Sequence, residues 1–322
     1  MSSNPEPGVR VALMVNPLSG RGQGAVTGAN AATRLQALGH RVTRYDRADM
    51  AWCITSVGAA LAQRADRPDA LVVVGGDGAV NLAVNLLAGS RMPLGVIPAG
   101  TGNDIARSIG LPLDPVAAVD TIDACLRSGT TRDVDIVGIS GAGRPAEATD
   151  LNRTRSIFAG VMATGFDAAV SERANLWTWP KGPARYNVAI ARELPLYRPR
   201  SYRLELDGEL WEPDALLVSI ANAASYGGGM RIAPDASMAD GLLDVVVVHP
   251  ISKSRFIRLF PKVYKGTHTD LPDVEVRQAK RLSICTTDSR PAVIAYADGE
   301  RIGPLPLTVE VQPGAVSMLA RP

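Results

Sequence analysis

Three short stretches gather residue types that handle phosphate: Asn16-Pro17-Leu18-Ser19-Gly20-Arg21-Gly22-Gln23-Gly24, Gly75-Gly76-Asp77-Gly78, and Pro98-Ala99-Gly100-Thr101-Gly102-Asn103-Asp104. Glycine permits the backbone conformations that turn successive amide N–H groups outward, and such amides, with the positive end of a following helix, seat a phosphate. Asp77 stands where a carboxylate can hold a metal ion bound to that phosphate. Asn16, Ser19, Arg21, Thr101, Asn103 and Asp104 add amides, hydroxyls, a guanidinium and a further carboxylate, the parts needed to hold a magnesium nucleotide. For the Gly75-Gly78 turn alone, an ordinary strand-to-helix connection with a solvated aspartate stays open. The chain lacks a GxxxxGK[ST] loop, and Gly20-Gly24 lacks the spacing of a dinucleotide fingerprint, so neither common site fits.

The elements that must position these turns follow a βα rhythm. Strands are expected at Val9-Val15, Arg41-Tyr45, Leu71-Val74 and Leu94-Ile97. Helices are expected over Ala25-Leu38 (ended by Gly39), Trp52-Gln63, the stretch carrying Val80, Val84 and Leu87, and Ile105-Ile109. Pro115-Arg127 is a further helix, capped by Asp114 and stopped near Gly129. Right-handed βα crossovers give a parallel sheet whose strand carboxyl ends share one edge, so the three turns should converge on one crevice.

Beyond Thr131 the chain becomes β-rich. Short apolar runs occur at Val134-Ile139, Ile157-Ala163, Tyr202-Leu206, Leu216-Ala221, Leu242-Val248, Leu282-Thr286 and Val293-Tyr296. Asp207-Gly208 marks a hairpin, because this pair suits the positive φ angles of a type I′ turn. Helical patterns interrupt near Asp167-Ala174, Ala184-Leu194 and Ser252-Lys265, and Gly141-Arg155 reads as a polar loop. A length of 322 residues accommodates two such lobes.

Composition narrows the function classes. A content of 46% hydrophobic and 20% charged residues is that of a soluble globular protein, and a formal charge of +2 makes no electrostatic case for nucleic acid. Met1-Gly8 has no signal-peptide character, and no apolar run reaches about 18 residues, so membrane contact is expected to be peripheral. Cys53, Cys125 and Cys285 lack disulfide or zinc spacing, which suggests a reducing, cytoplasmic setting. His40, His249 and His268 are scattered and receive no role.

Read together, Asn16-Pro17 with Ser19-Gly20-Arg21, Gly75-Gly76-Asp77-Gly78, Gly100-Thr101-Gly102-Asn103-Asp104, Asp235-Ala236-Ser237-Met238-Ala239-Asp240-Gly241-Leu242-Leu243-Asp244 and Asp298-Gly299-Glu300 make the chain resemble the diacylglycerol kinase catalytic-domain family, which includes bacterial lipid kinases and sphingosine kinases. The GGDG tetrad alone is shared with NAD kinases and phosphofructokinases. Five motifs in the family's order are far more specific.

The resemblance implies an α/β fold of two-lobe lipid-kinase architecture. A nucleotide-binding α/β domain would span 1–132, with 308–322 returning to it, and a β-sandwich lipid-substrate domain would span 133–307. It implies ATP and Mg2+ as cofactors, with Asn16, Ser19, Arg21, Gly75, Gly76, Asp77, Gly78, Thr101, Gly102, Asn103 and Asp104 around the nucleotide. Arg21 stands where many bacterial members carry lysine, and Ala79 replaces the usual threonine. Asp240 resembles a structural-magnesium ligand, joined by the carbonyls of Met238 and Leu242. Glu300 is the first candidate for general base, with Asp77 as its competitor, and Asp135 is a candidate link to the metal.

The implied reaction is ATP-dependent phosphorylation of diacylglycerol to phosphatidic acid. Another lipid alcohol such as a sphingoid base, NAD phosphorylation, or a catalytically silent nucleotide or lipid sensor are the alternatives. The implied partners are nucleotide and a lipid substrate at a membrane surface, with a homodimer as a candidate assembly and no nucleic acid. Leu176-Trp177-Thr178-Trp179-Pro180-Lys181 offers aromatic rings beside a cation suited to a lipid interface, against the commoner role of tryptophan in a core, and Tyr226-Met230 is a candidate loop at the lipid entrance.

Overall fold

A computed structural model describes residues 8–63, 65–141, 157–177 and 183–321. The loop expected over 141–155 lies, beyond Gly141, outside the described residues, as does Trp179. Two compact units form: Met1–Val134 with Gly314–Pro322, and Asp135–Pro313.

The first unit runs β1 (Arg10–Val15), α1 (Ser19–Ala37), β2 (Arg41–Tyr45), α2 (Met50–Ala62), β3 (Ala70–Gly75), α3 (Asp77–Leu87), β4 (Leu94–Pro98), α4 (Asp104–Ser108) and α5 (Pro115–Ser128). The strands pair in parallel in the order β4-β3-β1-β2, and Met318, at the far end of the chain, pairs in parallel with Leu94 on the outer side of β4. β1 and β3 are buried almost throughout, as expected of parallel strands covered on both faces. One face packs Val11, Leu13, Val72 and Val74 against Leu35 of α1 and Val119 and Ile122 of α5. Asp49 caps α2 and Asp114 caps α5, each accepting backbone N–H groups, and Gly129 ends α5 in the left-handed conformation.

The second unit contains β5 (Arg132–Gly141), which begins in the first, then β6 (Ile157–Phe158), β7 (Val161–Gly165), α6 (Phe166–Leu176), α7 (Pro183–Glu193), β8 (Arg200–Leu206), β9 (Glu209–Trp211), β10 (Asp214–Ala215) and β11 (Leu217–Ala221). There follow β12 (Leu243–Val248), α8 (Lys253–Leu259), α9 (Pro261–Lys265), β13 (Val274–Ala279), β14 (Arg281–Thr286), β15 (Ile294–Ala297), β16 (Glu300–Pro304) and β17 (Leu307–Met318). An antiparallel sheet of order β13-β12-β11-β7-β15-β16 faces a second built on β10-β8-β14-β17. Tyr202, Leu204, Leu282, Ile284 and Val309 of one share a core with Met162, Val218, Ile220, Val245 and Val247 of the other, making a β-sandwich. β12 is buried on both faces because α6 to α9 cover its outer side, with Val246 against Val263 and Val248 against Phe256.

Three expectations need correction. The run Ile157-Ala163 is two strands, interrupted at Ala159 and Gly160. The helix over Ser252-Lys265 is two helices, because Pro261 has no N–H to continue the ladder and instead starts α9. The helix expected from Ala25 has an earlier, irregular beginning: Gly20, Arg21 and Gly22 hold φ of 56°, 62° and 93° inside α1.

Candidate functional site

In the first unit the three glycine turns touch one another. A Cβ on Gly100 would lie 2.4 Å from the Gly76 Cα, one on Gly20 would lie 2.4 Å from the Ala99 carbonyl oxygen, and one on Gly75 would reach Asn16 Cβ at 3.6 Å. Only glycine lets the second and third turns approach this closely. Each turn is then locked internally. Asn16 Oδ1 accepts the Leu18 N–H at 3.1 Å, and Ser19 Oγ donates to the Asn16 carbonyl at 2.7 Å. Asn103, in the left-handed region at φ 53°, accepts the Gly100 N–H at 2.9 Å and donates back to the Gly100 carbonyl at 3.0 Å.

Asp77 joins two of the turns: its Oδ1 accepts the N–H of Ile105, in the first turn of α4, at 2.9 Å. Gly78, Thr101 and Arg21 are exposed, whereas Asp104 is buried. The three left-handed residues Gly20-Gly22 turn their N–H groups out of the usual helical ladder, a conformation suited to binding anions. This part of the site therefore brings together Asn16, Ser19, Arg21, Gly75-Gly78 and Thr101-Asp104.

The remaining site residues lie in the second unit. Asp298 and Gly299 hold φ of 48° and 83° in the turn between β15 and β16, and Glu300 opens β16 with its side chain exposed. The Asp298 carboxylate accepts three backbone N–H groups, from Ala159 at 2.9 Å, Gly160 at 3.0 Å and Val161 at 3.1 Å. Asp298 is thus the anchor that fixes the turn carrying Glu300, a role its sequence neighbours gave no sign of.

Asp135 is buried, not a solvated strand end. Its N–H donates to the Met238 carbonyl at 2.7 Å and its Oδ2 accepts the Gly241 N–H at 2.7 Å. Asp240 is exposed and its Oδ1 accepts the Leu242 N–H at 3.0 Å. The amide of Asn222 completes the assembly, donating to the carbonyls of Asp135 at 2.9 Å and Ala159 at 2.8 Å. The Asp240 loop and the Glu300 turn are therefore braced through one buried asparagine that sequence reading passed over, since a lone Asn after an apolar run carries no local signal.

Among the described residues no group of three or more His, Cys, Asp or Glu side chains is arranged to hold a metal. Asp240 with the Met238 and Leu242 carbonyls is instead a set of hard oxygen donors, of the type that suits magnesium or calcium. Burial, with the charges of Asp240 and Asp235 adding, pushes the Asp244 carboxyl up to about 6, and its Oδ2 has no hydrogen-bond partner in the described structure. The Asp235 and Asp240 carboxylates thus lie close enough to Asp244 to oppose its ionisation.

A narrow cleft of about 70 Å³, open to solvent on one side, lies between the outer face of β12 and helices α8 and α9. Leu217, Val248, Phe256, Phe260 and Val263 form its apolar walls. Its polar end is the Tyr226 hydroxyl, which donates to the Asp167 carboxylate. Burial pushes Asp167 up to about 6, and the Tyr226 hydroxyl opposes part of that rise. Tyr226 and Met230 close their loop with two backbone hydrogen bonds of 3.0 Å and both line the cleft.

The diacylglycerol kinase catalytic domain matches residues 10–139, and the YegS C-terminal NAD kinase beta sandwich-like domain matches residues 160–320. With the α/β unit and the sandwich, these matches define a kinase, a phosphotransferase acting on an alcohol. A diacylglycerol kinase of Mycobacterium tuberculosis is 38% identical over 312 residues, covering 96% of this chain and 94% of that protein. One of Bacillus subtilis is 29% identical over 249 residues, covering 74% of this chain and 73% of its own. A crystal structure of a diacylglycerol kinase from Bacillus anthracis superposes with a TM-score of 0.70 at 22% identity, covering 97% of each chain. The chain belongs to the diacylglycerol kinase family.

Proposed function

We propose that the protein transfers the γ-phosphoryl group of ATP to the hydroxyl of diacylglycerol, giving phosphatidic acid and ADP. The observation that carries this reading is the mutual contact of the three glycine turns around Asp77. The phosphates would rest on the amides of Gly76, Gly78, Gly102 and the Gly20-Gly22 turn, with Asn16, Ser19 and Thr101 as polar neighbours and Arg21 as the nearby cation. Magnesium, when bound, would neutralise charge on the transferred phosphoryl, and Asp77 is assigned to hold it. Asp240, with the carbonyls of Met238 and Leu242, is assigned a second, structural ion.

The acceptor oxygen bonds to phosphorus as the bond to the ADP oxygen breaks, and Glu300 takes the acceptor's proton. Its exposure leaves it able to meet a substrate hydroxyl, while Asp298 holds its turn in place. Asp77 remains the alternative base, although one of its oxygens already accepts the Ile105 N–H. The apolar cleft with its Asp167-Tyr226 end is assigned to an acyl chain. No helix among the described residues is long and apolar enough to cross a membrane. The enzyme is assigned to meet its lipid substrate at a bilayer surface, on the cytoplasmic side.

The match to a sandwich described as NAD kinase-like keeps NAD among the acceptors to be tried. Incubation with labelled ATP, magnesium and, separately, diacylglycerol, sphingosine and NAD, followed by identification of the product, tests the reading. Labelled phosphatidic acid is the expected result. A product from sphingosine or NAD alone would replace the acceptor, and nucleotide binding without any product would leave a sensor.

A further inference from the structure

We infer that the outer face of α8 and α9 is a docking surface for an anionic lipid bilayer. This inference rests on the lipid-kinase reading for its choice of a bilayer over another anionic partner; the exposed cations and apolar side chains it is argued from do not depend on that reading. Residues 253–265 contain Lys253, Arg255, Arg258, Lys262 and Lys265 and no acidic residue. Arg255 is paired with Asp273 at 2.9 Å, and Lys253 donates to the Pro195 carbonyl. Arg258, Lys262 and Lys265 have no carboxylate partner among the described residues.

The same face exposes apolar groups. Ile257 is 63% exposed and Tyr264 48%, and Leu196, beside the Pro195 that Lys253 holds, is 67% exposed. Lys253 and Ile257 stand one helical turn apart on a shared face. Exposed cations interleaved with exposed apolar side chains fit neither a purely solvated surface nor a dry protein interface. They match the chemistry of an interfacial helix, with charges on lipid phosphates and apolar tips between headgroups.

The opposite face strengthens the choice of a bilayer over an acidic protein. Phe256, Leu259, Phe260 and Val263 point inward and wall the apolar cleft. Two short helices thus stand between a cationic surface and the apolar cleft. An acidic protein would use the cations and leave the cleft without purpose. By contrast, the Leu176-Lys181 stretch offers less: Trp177 packs against the core of Phe166 and Val170, and Trp179 lies outside the described residues.

Vesicle sedimentation of the full chain tests the inference, comparing pure phosphatidylcholine with phosphatidylcholine containing phosphatidylglycerol. The wild type should bind the anionic vesicles at least about tenfold more tightly, with binding that weakens as salt rises. Arg258→Gln/Lys262→Gln/Lys265→Gln should lose affinity for them on the order of 100-fold, since each basic residue near the surface contributes about a fivefold step. Ile257→Ser should weaken binding to both vesicle types by a few-fold. Ile257, Arg258 and Lys265 are exposed and Lys262 is half-buried, and none of the three cations is in an ion pair among the described residues, so melting temperatures should stay close to the wild type. Triple-variant binding within twofold of wild type, equal wild-type binding to both vesicle types, or a wild-type dimer that the triple substitution dissolves without altering vesicle binding would overturn the inference.

Activity on a short-chain diacylglycerol dispersed without vesicles separates this from the substrate reading. Retained activity of the triple variant there, with lost vesicle binding, supports docking by this face. If the wild type itself phosphorylates no diacylglycerol while the vesicle difference persists, the docking surface stands and the acceptor assignment falls.

Discussion

Asp77 accepts the N–H of Ile105 at 2.9 Å, so the carboxylate of the second glycine turn also caps the helix that follows the third. Two functions can be separated by substitution. Asp77→Asn keeps an oxygen for Ile105 and should preserve folding, while loss of the charge should lower phosphoryl transfer by about 100-fold or more and weaken magnesium-nucleotide binding. Asp77→Ala removes the acceptor as well and should cost an additional ~1–3 kcal/mol of stability. Labelled-ATP assays, calorimetric titration with magnesium nucleotide and denaturant melts read the three quantities. Full activity in Asp77→Asn would remove Asp77 from the chemistry.

The contact between Gly76 and Gly100 predicts a contrast between neighbouring glycines. Gly100→Ala places a Cβ 2.4 Å from the Gly76 Cα, where backbone must move, and should destabilise the first unit by about 1–3 kcal/mol and reduce nucleotide affinity. Gly78→Ala meets open space in the first turn of α3 and should leave stability unchanged or raise it by up to about 1 kcal/mol. Equal stability of the two variants would mean that the turns are not in close contact.

Asp298 and Glu300 are two residues apart and should fail in different ways. Asp298→Ala strips the acceptor from three N–H groups and should lower stability by about 2–4 kcal/mol, with activity falling alongside. Glu300→Gln, on an exposed side chain, should leave the melt unchanged while sharply reducing transfer and sparing ATP binding. Wild-type activity in Glu300→Gln would transfer the base role elsewhere.

The assigned structural ion predicts a linkage. Chelation should lower the melting temperature of the wild type, and added magnesium should restore it. Asp240→Ala should melt at one temperature with or without the ion. A wild-type melt indifferent to chelator would exclude a stabilising ion at Asp240.

Much of this arrangement was legible because the signals are local. The Asp207-Gly208 pair forms its turn at φ of 49° and 94°, and the glycine turns sit at the strand ends where the βα rhythm placed them. The anchoring role of Asp298 is not legible because its three partners lie 137 to 139 residues away, and nothing in Asp-Gly-Glu reports them. Asn222 was obscure for the same reason, and for Asp135 the resemblance offered a link to the metal but not its burial: their contacts are with backbone groups of Ala159, Met238 and Gly241, distant in sequence. Pro261 was visible, yet the helical pattern runs through it because Phe260 keeps helical angles at the junction.

Asp167 and Tyr226 give a pH prediction whose sign follows from burial. Asp167 holds its proton up to about pH 6 in the folded protein, against an ordinary carboxyl value of 3.8. Between those values the unfolded chain has released the proton and the folded chain has not, so stability falls as pH rises through this window and levels off above it. The loss amounts to at most about 3 kcal/mol. Asp167→Asn has no proton to lose, so it should match the wild type near pH 4 and exceed it increasingly up to about pH 6.5. Tyr226→Phe removes the hydroxyl that favours the ionised form, and should push the window upward. Denaturant midpoints measured from pH 4 to 8 supply the comparison, and a difference between wild type and Asp167→Asn that does not vary with pH would mean that Asp167 ionises normally at the end of the cleft.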